Sequence, residues 1–169
     1  MNFLQNTYQI LFKPQEGFDE LIENYNLNVF IQGALVFVLA HLIANQFSLT
    51  GLFEPITSLF FLSFYIFITA YIFVLKGRDF FKLLGLFAFT FVPMIFTEVF
   101  DLLSFDIASF KMLFNLALLL WIFNLQLIVI TKVCGVNKAK ATLLYLLIPM
   151  SIAFYIAVTI AQAILSFFF

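Results

Sequence analysis

His41 and Glu98 are the two residues whose pairing would do chemistry: an imidazole that exchanges a proton near neutral pH, and a carboxylate that could hold it. Both lie in long apolar runs, where a charge costs several kcal/mol unless it finds a partner. Counting 1.5 Å per residue from the start of each run puts His41 about 18 Å and Glu98 roughly 27 Å into a ~30 Å hydrocarbon core. Two readings follow. In one, Glu98 reaches the outer headgroups with Asp101 beyond it, and His41 is a neutral, hydrogen-bonded packing residue. In the other, the two form a proton- or ion-linked site in the outer leaflet. Catalysis finds no further support: there is no metal-type cluster of His, Cys, Asp and Glu, no G-x-S-x-G, no phosphate loop and no pair of intramembrane aspartates. One histidine and one cysteine, Cys134, on different runs do not make a nucleophile with its base. We therefore expect no enzyme, no bound metal and no cofactor.

The elements that must position these residues follow from composition. Of 169 residues, 64% are hydrophobic and only 10% charged, far outside the globular range. The expectation is a single all-α integral membrane domain over 1–169. Its apolar runs are 29–47, 56–75, 80–103, 112–131 and 141–167, each near the ~20 residues a helical span needs. Their length excludes the alternating ten-residue strands of a barrel. The lone cysteine rules out an internal disulfide, no basic stripe points to nucleic acid, and no compact basic segment before a short apolar core suggests a signal peptide. Pro93 is expected to kink the third span. Asn124, Gln126 and Trp121 are expected to serve packing between helices.

Residues 1–26 precede the spans as two short amphipathic helices, read as lying along the membrane surface. In the first, Leu4, Tyr8, Leu11 and Phe12 oppose Gln5, Asn6 and Gln9. Lys13-Pro14 divides it from the second, whose face of Phe18, Leu21, Ile22 and Tyr25 is backed by Glu16, Asp19, Glu20 and Glu23. Seven of the eight basic residues flank the spans on one side, Lys111 being the exception. By the positive-inside rule the N-terminus is cytoplasmic, and five spans put the C-terminus outside. The four acids then sit beside the loops bearing Lys76, Arg78 and Lys82, and Lys132, Lys138 and Lys140. They are either a solvated face or a contact surface that docks on those loops. Lys76, Lys82, Pro93 and Met94 each recur 56 positions later, at Lys132, Lys138, Pro149 and Met150. That offset is either a parallel duplication of two hairpins or two independent proline kinks.

The opening LFKPQEGFDELIE, the block LLGLFAFTFVPMIF and the stretch WIFNLQLIVITKVCGVNKAKATLLYLLIP together resemble the Yip-one (Ypt/Rab-interacting protein) domain family in its bacterial branch. The chain lacks the long N-terminal region and the Asp-Leu-Tyr-Gly-Pro-like motif of the eukaryotic trafficking members. The resemblance implies a five-span protein without catalytic residues, in a bacterial cytoplasmic membrane. It would act as a scaffold or accessory factor for trafficking, membrane organisation or export, with the bilayer and another membrane protein or itself as partners. The alternative is a small transporter or lipid-handling protein using the polar site at His41 and Glu98.

Overall fold

The computed structural model describes residues 3–44, 50–74, 79–97 and 108–147, and every regular element among them is helical. Helix α1 (Phe3–Phe12) and α2 (Pro14–Glu23) meet at Lys13, where Pro14 opens α2 with a ring already set to helical φ. Gly17 lets the two backbones approach: a Cβ there would stand 3.1 Å from the main chain of Gln9 and Ile10. Helix α3 (Leu27–Ala44) starts under the Asn26 side chain, which accepts from Val29 N–H at 3.1 Å. A single 3₁₀ turn, Thr50–Leu52, leads into α4 (Phe53–Val74). Helix α5 (Phe80–Phe89) is capped by Asp79, and α6 (Ala108–Cys134) is followed by α7 over residues 138–147. The end of α6 is a Schellman turn: Gly135 takes φ +60° and Val136 N–H reaches back to Thr131 at 3.1 Å.

Helices α3, α4 and the Phe110–Cys134 portion of α6 are long and apolar enough to cross a membrane. They match the expected runs 29–47, 56–75 and 112–131, each beginning two to four residues earlier. Polar side chains inside them are satisfied locally, as when Ser63 and Thr69 donate to the carbonyls of Leu59 and Tyr65 at 2.8 and 2.9 Å. Their outer faces are large and apolar, including Phe61, Phe64 and Ile72 on α4 and Leu113, Leu116 and Leu120 on α6. An exposed apolar surface on this scale belongs against lipid.

Helix α5 is the centre of the bundle, packed on α3, α4 and α6. Gly33 of α3 meets the backbone carbonyl of Gly85, so close that an added Cβ would overlap it. On the α4 side Phe80 is ringed by Phe60, Phe64 and Phe67, with centroids 5.5, 6.3 and 5.9 Å away in edge-to-face arrangements. Leu83, Leu86, Phe87, Phe89 and Val92 are all buried.

Two features differ from the expectation. The run 80–103 is not one kinked helix over its described part. Helix α5 stops at Phe89, and a 3₁₀ turn, Val92–Ile95, replaces the next turn. Pro93 has no N–H to give the Phe89 carbonyl and its ring would collide there, so the chain tightens before the proline instead of bending at it. Helix α1 also turns part of its polar side, Asn6 and the Gln9 amide oxygen, inward, while Gln5 is exposed. Asn6 and Ile10 are buried while Leu4, Tyr8 and Phe12 point outward.

Candidate functional site

Two places in the bundle gather polar groups. The first is the basic end, where α2 lies across the ends of α5 and α6. Lys132, in the last turn of α6, forms an ion pair with Asp19. Lys82, in the first turn of α5, donates to the Ile22 carbonyl at 2.9 Å and lies 5.6 Å from the centre of the Tyr25 ring. Tyr25 in turn donates to the Phe81 carbonyl at 2.6 Å. Burial, with Asp79 nearby, pushes the Tyr25 phenol well above its ordinary value, so the group stays protonated and remains a donor. Asp19 meets Lys132, but Lys82 binds a main-chain oxygen and a ring instead of an acid.

The other residues of the expected contact surface take separate positions. Glu16 pairs with Lys13 of its own turn at 3.3 Å. Glu20 and Glu23 have no ion pair among the described residues. Lys138 donates to Asn124 at 3.2 Å, bringing the start of α7 back against α6. Lys140 is exposed, its N–H held by the Asn137 cap at 2.9 Å. Lys76 and Arg78 lie outside the described residues.

The second place is a cavity of about 510 Å³ between α3, α4, the 3₁₀ turn, α6 and α7. Its walls are mostly apolar, with His41, Thr97, Asn115, Gln126 and Tyr145 spaced around them. That composition, in a space of drug-like size, is what a site for an apolar or amphipathic small molecule has. His41 is buried and its Nδ1 is 3.0 Å from the Phe37 carbonyl. A carbonyl only accepts, so Nδ1 carries the proton and a neutral ring offers Nε2 as an acceptor. The ring is wedged between Phe37 and Phe91, with centroids 4.1 and 5.2 Å away. On the opposite wall Tyr145 donates to Gln126 at 2.7 Å, the interhelical bond expected of Gln126. Trp121 stacks on Phe96 at 6.2 Å, also as packing. Pro93 shapes this cavity indirectly, because the turn it forces carries Phe91 and Met94 into the lining. Glu98, Asp101 and Pro149 lie outside the described residues.

Sequence reading missed three contacts: Tyr25 on Phe81, Tyr65 donating to the Leu144 carbonyl at 2.7 Å, and Asn6 on Gln32. All three tie elements far apart in the chain, and nothing in local periodicity marks their partners. Comparison with protein-family models, curated proteins and solved structures finds no match for this chain.

Proposed function

We propose that this chain is a five-span, non-enzymatic membrane protein of Yip-one type, with a cytoplasmic N-terminus, that serves as a scaffold or accessory factor for trafficking, membrane organisation or export. The observation that carries this reading is the clasp at the basic end. Helix α2 is held there by Asp19 on Lys132 and by Lys82 on Ile22, while Glu23 is exposed and Glu20 half-buried, neither in an ion pair among the described residues. A surface that is rigidly mounted yet still carries charge is suited to a protein partner. The bacterial cytoplasmic membrane is its proposed location, and a second membrane protein or a further copy its proposed partner. The test is affinity purification from native membranes after mild crosslinking. A stoichiometric partner, or a defined homo-oligomer, that is lost in the double variant Glu20→Lys, Glu23→Lys is the expected result. Recovery of monomer alone, or of a partner indifferent to that variant, overturns it.

A second reading, a small transporter or lipid-handling protein, is favoured by the cavity and its histidine. It expects movement of lipid or solute across reconstituted vesicles that falls at least tenfold in His41→Leu and Glu98→Leu. Equal rates with and without protein rule it out.

A further inference from the structure

Helix α1 buries a polar residue, Asn6, beside Ile10, and leaves its large apolar side chains outside. Along its inner edge Asn6 is 0% exposed and donates to Gln32 of α3 at 2.6 Å. The outer edge is mostly apolar and aromatic, with Gln5 among larger groups: Leu4 is 71% exposed, Tyr8 60% and Phe12 63%. A helix beside water places these groups the other way round. Carbonyl oxygens of Asn6 and Gln9 are even withdrawn into the interior without a hydrogen-bond partner among the described residues. Only a solvent poorer than the protein interior at meeting polar groups makes that orientation the better one, and hydrocarbon is such a solvent.

The position of α1 agrees. No side chain from Phe3 to Phe12 is charged, and the first charged side chain, Lys13, stands where the helix ends. The Phe12 end joins α2, which is tied to the first turn of α5 and the last turn of α6 at the basic end. From there α1 reaches α3 at Gln32 and packs on the 3₁₀ turn Val92–Ile95, about 18 Å along the line of α5 from Phe80. Ten helical residues extend about 15 Å, half of a ~30 Å hydrocarbon core.

We propose that α1 is inserted into the bilayer as a half-span, its Asn6 edge against α3 and its Leu4, Tyr8 and Phe12 edge against the acyl chains of the leaflet on the basic side. This departs from the expectation that α1 lies along the membrane surface; it keeps the basic side cytoplasmic but sets the start of α1 inside that leaflet instead of in the cytoplasm. A surface helix keeps residues 4, 8 and 12 at one depth; a half-span sets them on a gradient. Spin labels at Leu4→Cys, Tyr8→Cys and Phe12→Cys, in a Cys134→Ala background in lipid nanodiscs, separate the two by their relative accessibility to oxygen and to a water-soluble nickel chelate. The expected result is depth increasing from 12 to 8 to 4, over about 12 Å. Equal depths, or chelate access at position 4 matching that of a Gln15→Cys control, overturn the proposal. Cys134 is itself buried, so a parallel measurement leaves it in place. Photoactivated benzoylphenylalanine at position 4 or 8 of the otherwise native chain should yield lipid adducts as abundantly as at Leu119, which is exposed on α6. No adducts at 4 and 8, with adducts at 119, is the contrary outcome.

Discussion

At Gly33 a hydrogen atom occupies space that any other side chain would fill with carbon, and what lies beyond it is the main-chain oxygen of Gly85. Main chain in the middle of a packed helix does not swing aside. At Gly85 the obstacles are the Tyr25 hydroxyl at 2.6 Å and the Phe30 ring at 2.9 Å, both ends of side chains that turn. Gly33→Ala should therefore lose about 1–3 kcal/mol of stability, and Gly85→Ala less, measured by thermal unfolding in nanodiscs. A reversed order would mean that the α3–α5 seam is looser than this packing. Tyr25 gives a prediction in pH. Its phenol, ordinarily titrating at 10.0, is raised in the folded protein by burial first and by Asp79 second. The folded state thus holds a proton that the unfolded state releases, so the Tyr25 contribution is intact below about pH 10 and declines above it. Tyr25→Phe should cost about 1 kcal/mol at pH 7, and the difference from wild type should shrink as pH rises past 10. A difference independent of pH would remove the hydroxyl from the account.

Among the elements, the clearest lesson is the interruption after Phe89. A proline in an apolar run signals a disturbed helix, and Pro93 was legible in that sense. The position of the break was not, because it depends on where Thr90 and Phe91 find substitutes for lost helical bonds. The Thr90 hydroxyl donates to the Phe87 carbonyl at 2.7 Å, and Phe91 settles against Phe37 and His41. Pro93→Ala restores both the donor and the room. We expect the helix to continue through 90–95, with new amide protection at residue 93 in hydrogen exchange and a lower melting temperature as Phe91 leaves His41. If the amide at 93 exchanges freely, packing on α3 and not the proline ring sets the break. Three of the long helices were legible to within about four residues because hydrophobicity over twenty residues outweighs local detail. Helix α1 was legible as amphipathic, but the burial of Asn6 against Gln32 was not, since periodicity reports that two faces differ and not which neighbour or solvent each will meet.

Among the described residues the basic side chains gather at one end, with Lys111 the exception, and hydrocarbon-like surface covers the helices between. The sequence conveys this asymmetry well, because it is a matter of counting. It conveys the individual pairs poorly, because Asp19 and Lys132 are separated by most of the chain and only the fold joins them. Asp19 is more than half exposed, so the pair is worth at most about 1 kcal/mol. Asp19→Lys alone should loosen α2, detected as faster proteolysis near Lys13. Adding Lys132→Asp should restore the wild-type rate, whereas no rescue would show that the bond to Ile22 holds α2 without help from the ion pair.

One dimension of α6 has a consequence for where the protein can reside. Lys111 and Lys132 bracket the apolar residues 112–131, a stretch of about 30 Å. That is the thickness of an ordinary bilayer interior, so the helix fits upright with an ammonium group at each water boundary. The molecule thus carries a ruler. In a series of synthetic lecithins of increasing chain length, its melting temperature should peak where the membrane matches the ruler and fall on both sides. A cell whose membranes differ in thickness would sort the protein by that fit alone, without any address encoded in its loops.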